Sequence, residues 1–275
     1  MGFGTRIGRC CIILLWVIFA GLAYAAESPV SGKIVSLAPS ITETLFAMGL
    51  GHRIAGTTEH SDYPPEAADI PSVGQFMNPE LERILALRPE ACIGLAGSTS
   101  PQLVHLLQTF GIPTLLVNVS RLEGLLSSIC EIGVYLGESE LGDSLQQRYV
   151  KRLKSINDKV SGLAHPRVLS IVSVSPIFGA GPNTFISDIV RCAGGEPVGL
   201  GDGKAWQGLS REAVLWLKPD IIVFAVHTGI VPEWMRKVPM DGVQIISIDP
   251  SLMIRPTPRL IDSAESLAVF FHSRD

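Results

Sequence analysis

The chain has 275 residues, a formal net charge of −4, 47% hydrophobic content and only 17% charged residues. That is room for one large domain or two of ordinary size, and it excludes long disordered stretches. No basic stripe is present for nucleic acid.

The first 25 residues read as a secretory signal peptide. Arg6 and Arg9 precede the apolar run "CIILLWVIFAGLA", and a small-x-small site, "AYA", ends at Ala25. The run is short for a membrane span. Cys10 precedes it and Cys11 opens it, where a lipid-modified cysteine would not lie, so export with cleavage near Ala25 is expected. Removing the leader leaves 20 basic against 26 acidic residues, a net −6. Cys92, Cys130 and Cys192 then permit at most one disulfide. Cys92 and Cys130 sit in apolar segments and read as buried small hydrophobes. No Cys or His spacing suggests structural zinc.

Beyond the leader, β-rich runs alternate with amphipathic ones. "KIVSLAP" (33–39) predicts a strand. "SITETLFAMGLG" predicts a helix with a capping box at Ser40 and Glu43 and a stop at Gly49. "RIAGTT" (53–58), "ACIGLAG" (91–97) and "PTLLVNV" (113–119) predict strands, with helices over "LERILALR" and "PQLVHLLQTFG" between them. From about 120 to 162 no strand signal appears, and two helices follow each other, the second long and charged. The alternation restarts at "RVLSIVSV" (167–174). It continues with a helix over "TFISDIVRCAGG", another over "REAVLWLK", strands at 220–226 and 243–249, and a closing helix over 258–272. Apolar strands alternating with helices predict parallel α/β architecture.

The second half repeats the first. "LERILALRPE" (81–90) matches "REAVLWLKPD" (211–220) at an offset of 130, and "GIPTLLVNVS" matches "GVQIISIDPS" at 131. The expected architecture is two similar α/β lobes, 26–136 and 165–275, joined by a long helix within 137–164. In such sheets ligands bind beyond the carboxyl ends of the strands, so the cleft between lobes is the expected site. The strand-end loops carry His60, Tyr63, Phe76, Phe178, Trp206, His227 and Arg255. Aromatic faces with a few polar groups suit a flat, bulky, partly apolar ligand.

Enzyme signatures are missing. "GLGDGK" (199–204) lacks the Ser/Thr of a phosphate loop, "GAGPNT" lacks the third glycine of a dinucleotide fingerprint, and no G-x-S-x-G elbow occurs. Asp188 and Asp202 show no partner set, and no catalytic cofactor is expected. The histidines are not spaced for a bare zinc or manganese ion.

"IVSLAPSITETLFAMGLG…SDYPPEA…IPSVGQFMNPELERILALRPE", with "W…SREAVL…KPDIIV" and "IDPSLMIRPTPR", resembles the periplasmic cobalamin-binding proteins of ABC importers. More widely, it resembles the substrate-binding proteins for cobalamin, haem and ferric siderophores. The resemblance covers essentially the whole mature chain. It implies a monomeric, non-enzymatic protein that delivers a corrinoid, or alternatively haem or a ferric siderophore, to a dimeric membrane importer. By position it places His60, Phe76 and Trp206 on the ligand, with Phe178 and Arg255 as cleft walls. In the family the first two positions are tyrosine and tryptophan. His60 could also ligate bound cobalt or iron. Glu82 and Glu212 match the acidic pair that meets arginines on the two membrane subunits, one from each lobe. Each also sits where a helix start favours negative charge.

Overall fold

A computed structural model describes residues 29–201, 203–226, 231–237 and 242–273. The expected leader, Asp202 and His227 lie outside the described residues. In chain order the first lobe holds β1 (Ile34–Ser36), α1 (Pro39–Ala47), β2 (Ile54–Thr57), the hairpin β3–β4 (Gly74–Gln75, Asn78–Pro79), α2 (Leu81–Ala86), β5 (Ala91–Leu95), α3 (Pro101–Thr109) and β6 (Thr114–Val117). Two helices follow, α4 (Leu122–Tyr135) and α5 (Ser139–Val160). The second lobe begins with β7 (Arg167–Val174), β8 (Ile177–Ala180), α6 (Phe185–Cys192), β9 (Glu196–Pro197), β10 (Trp206–Gly208) and α7 (Arg211–Trp216). It ends with β11 (Ile221–Phe224), α8 (Glu233–Lys237), β12 (Gln244–Ser247), α9 (Pro250–Met253) and α10 (Leu260–Phe271).

The first sheet is parallel throughout, in the order β2-β1-β5-β6. The second runs β10-β8-β7-β11-β12 with β9 beside the start of β7. Alternation along each strand decides which core a side chain enters. Ile34 and Ile93 face an inner apolar cluster, while Val35 and Cys92 face an outer one under α2 and α3. In the second lobe Ile221 and Val223 face the same inner cluster, and Ile222 and Phe224 face a separate outer core. The inner cluster is therefore shared. It runs from the first sheet through Leu125, Ile129 and Ile132 of α4 and Leu145, Leu153 and Ile156 of α5 into α6 and α10. Strands buried on both faces explain why they read as unbroken apolar runs.

The sequence repeat is a structural repeat. α2 and α7 have six residues each, offset by 130. Two residues past each lies a basic residue of left-handed backbone, Arg88 at φ 47° and Lys218 at φ 45°, followed by a buried proline, Pro89 or Pro219. Proline bars the residue before it from right-handed helical backbone, so both helices stop at the same step. The pairing agrees: Ile34 is opposite Ala91 in one lobe, Val168 opposite Ile221 in the other.

Three expectations need correction. The capping box at Ser40 and Glu43 does not form: α1 starts at Pro39, its N-cap is Ala38, and no side chain caps it. Ser40 lies inside the helix with its hydroxyl buried and unpartnered, while Glu43 turns to arginines of the second lobe. Next, "PIFGA" and "AWQG" are not loops but strands β8 and β10, which add an antiparallel edge to the second sheet. Their short glycine-containing runs carry no strand periodicity. Lastly, Cys130 is half-buried rather than buried. Cys92 is buried and free, and that burial pushes its thiol up to about 12.

Candidate functional site

A cavity of about 760 Å³ lies between the lobes. The first lobe lines it with Ala38, Ser40, Glu59, His60, Asp62, Phe76 and Leu95, which lie at or just beyond the ends of β1, β2 and β5, in the first turn of α1 or on the β3–β4 turn. The second lobe contributes Asp249, Ser251, Ile254 and Arg255, beyond the end of β12. This is the carboxyl-end position at which open α/β sheets bind ligands. The structure thus brings together His60, Phe76 and Arg255 of the expected residues.

His60 is exposed and has left-handed backbone, φ 66°. Its turn is held on both sides. The Glu59 N–H donates to Gly74 O at 2.9 Å, and the Ser61 N–H donates to Thr58 O at 3.3 Å. A strained residue fixed by its neighbours at a cleft is a common sign of function. Phe76 occupies the tight turn of β3–β4, half-buried against the inner core.

Arg255 sits in a charged network that crosses the cleft. It donates to Asp62 at 3.0 Å and lies 3.7 Å from Glu43. The Glu43 side chain is only 2% exposed and takes two hydrogen bonds of 2.7 Å from Arg259. Partial burial pushes the Asp62 carboxyl up, but the bond and charge of Arg255 outweigh it and hold it below the usual carboxylate range. Burial likewise lowers Arg259, and Glu43 more than compensates, so the guanidinium is held above its ordinary value. Asp249 caps α9 by accepting from the Ser251 N–H at 2.8 Å, and its hydrogen bonding to Ser251 keeps its carboxyl low.

Trp206 and Phe178 are on the neighbouring sheet edge and do not line this cavity. Trp206 pairs with Ala180 and Gly208 with Phe178, so the two rings share one face of the β8–β10 ribbon. Trp206 is 43% exposed and meets Phe185 edge-on at 6.0 Å. The Phe185 N–H donates to Ser120 O of the loop before α4, which puts this aromatic face at the lobe junction. The buried Gln207 side chain fixes the segment by bonding both Leu200 N–H and Leu200 O at 2.7 Å. A Cβ on Gly181 would lie 2.1 Å from the Lys204 carbonyl, so the close approach of this loop requires glycine. Tyr63 is placed elsewhere. It lies beneath the Arg259 guanidinium, 3.8 Å from its ring centre, in a separate hollow with Phe46 and Tyr149.

Glu82 and Glu212 are exposed second residues of α2 and α7. Bonds from its own backbone N–H and from Ser210 hold the Glu212 carboxyl low. Asp188 does find partners: Arg121 donates to it twice, at 2.7 and 2.6 Å, and Arg191 once at 3.0 Å. Among the described residues no group of three His, Cys, Asp or Glu could hold a bare metal ion. No described helix is long and apolar enough to cross a membrane.

Two α/β lobes around one helix, with a ligand-sized cavity between their strand ends, define a cleft-type binding protein. The chain belongs to the periplasmic binding protein family, whose model matches residues 34–243. The vitamin B12-binding protein of Vibrio parahaemolyticus is 26% identical over 272 residues, covering 97% of this chain and 98% of that protein. That of Yersinia pseudotuberculosis is 26% identical over 263 residues, 94% of this chain and 91% of its own length. The solved periplasmic vitamin B12 binding protein of Vibrio cholerae superposes with a TM-score of 0.76 at 24% identity, covering 87% of this chain and 96% of that one. A periplasmic heme binding protein from Pseudomonas aeruginosa gives 0.77 at 24% identity, covering 88% and 92%. These last two likenesses are of fold.

Proposed function

We propose that this protein is a non-enzymatic, periplasmic carrier that captures a corrinoid between its lobes and hands it to a dimeric ABC importer of the inner membrane. Its leader is cleaved near Ala25. The lobes span 26–136 and 165–275, with the connecting helix within 137–164. The observation that carries this reading is the cavity at the strand ends, to which both lobes contribute His60, Phe76 and Arg255. Near-full-length similarity to vitamin B12-binding proteins supports the corrinoid. Phe76 forms an apolar wall of the cavity, and Trp206 with Phe178, on the neighbouring sheet edge at the lobe junction, extends the binding face beyond it.

Trp206→Ala is expected to weaken dicyanocobinamide or cyanocobalamin binding at least tenfold, a loss of about 1.4 kcal/mol. Titration calorimetry checks it, and unchanged affinity removes Trp206 from the site.

Haem is the second reading. It is favoured by the exposed imidazole at the cavity wall, His60, which can ligate iron as well as cobalt from its open face. His60→Ala should then shift the visible absorption bands of the bound complex. Superimposable spectra of wild type and variant would show that His60 is not a ligand.

A further inference from the structure

The cavity is unevenly charged. Glu59, Asp62 and Asp249 line it, against Arg255 as the one guanidinium among the described lining residues, a formal balance of three carboxylates to one guanidinium. That guanidinium is itself engaged. Both carboxylates meet it at one nitrogen: Asp62 accepts from Nη1 at 3.0 Å, and Glu43 lies 3.7 Å from the same atom. Among the described lining residues, a carboxylate on an incoming ligand would meet three like charges and a guanidinium whose charge neighbouring carboxylates already offset. A carboxamide meets none of this repulsion. Its N–H₂ can donate to the acidic side chains, and its carbonyl can accept from Arg255 without displacing a charge.

Corrinoids and haems are both flat metal macrocycles. Amides line the rim of the first, and two propionate carboxylates hang from the second. We propose that Asp62 is a specificity-determining residue: by offsetting the charge of Arg255, the one guanidinium among the described residues that line the cleft, it turns away macrocycles that carry carboxylates. This rests on the cleft being the ligand site, as proposed above. Asp62 is suited to the task because it acts from the first lobe on an arginine of the second and is 65% exposed. It can be changed without opening the core. The buried Glu43 cannot, because it anchors Arg259.

The test uses iron protoporphyrin in two forms, the parent dicarboxylate and its bis-amide, titrated by absorbance into the full mature protein. Asp62→Asn frees Arg255 and removes one negative charge. It should raise affinity for the dicarboxylate at least tenfold, with no comparable gain for the bis-amide. Solvent screens so exposed a group, so the gain should be nearer tenfold than thousandfold. Asp62→Asn with Arg255→Gln should lose the gain. No gain in the single variant, an equal gain for both porphyrins, or a gain that survives loss of Arg255 would each overturn the proposal. Dicyanocobinamide is titrated alongside. Its failure to bind wild type would sink the corrinoid reading and leave the charge-selection result to stand or fall on the porphyrin pair.

Discussion

Glu43→Ala should cost about 3 kcal/mol of stability, because it leaves the part-buried Arg259 guanidinium without its carboxylate. Both Arg259–Glu43 hydrogen bonds are 2.7 Å, and their side chains are 15% and 2% exposed. Glu43 is shut off from water, and Arg259 reaches it only through the hollow it shares with Tyr63, so the lost partner is replaced only in part. For a chain of this size the loss should appear as a fall in melting temperature of about 10 °C. A companion variant separates the pair's net worth from the cost of breaking it. Glu43→Leu with Arg259→Leu removes both charges and should recover most of the loss, since buried ion pairs are often matched by apolar replacements. Melting followed by circular dichroism checks both. A single-variant loss below about 1 kcal/mol would mean that solvent enters the network and the pair is not truly buried.

Reversing the charge at both helix starts, Glu82→Arg with Glu212→Arg, should abolish uptake in cells while ligand affinity stays unchanged. The two glutamates are related by the internal repeat, and both are exposed. A protein with approximate two-fold symmetry, docking on a two-fold membrane dimer, presents one similar charge per lobe. Neither glutamate lines the cleft, so binding should not feel the change. The lobes are not identical there. Trp216 is 73% exposed one turn after Glu212, on the same face of α7, whereas the matching position on α2 is Ala86. Growth on limiting corrinoid is the readout, and normal growth of the double variant would end the docking role.

Much of this fold was legible in the sequence because parallel strands buried on both faces leave unbroken apolar runs. The Pro89 and Pro219 stops made the repeat visible. His60, Phe76 and Arg255 were legible for a related reason: strand ends in such sheets converge on one crevice. What escaped was long-range or irregular. Glu43 and Arg259 are 216 positions apart, and no local pattern relates a helical glutamate to such a partner. Read locally, Glu43 looked like half of a capping box. β8 and β10 are short and interrupted by glycine, so Trp206 was read as a loop residue when it sits on a ladder. Tyr63, only three residues beyond His60, points to a different partner because the turn at His60 redirects the chain.

The lobes are stitched on two sides. Glu43 and Asp62 of the first hold Arg259 and Arg255 of the second, and Arg121, just ahead of α4, holds Asp188 of α6. Prising the mouth apart must separate at least one such pair, with each charge regaining water as it opens. The pairs nonetheless bias the lobes toward the closed arrangement. Unloaded and loaded protein should therefore be close in shape. The work of letting the cargo go then falls to whatever pulls on the lobes from outside.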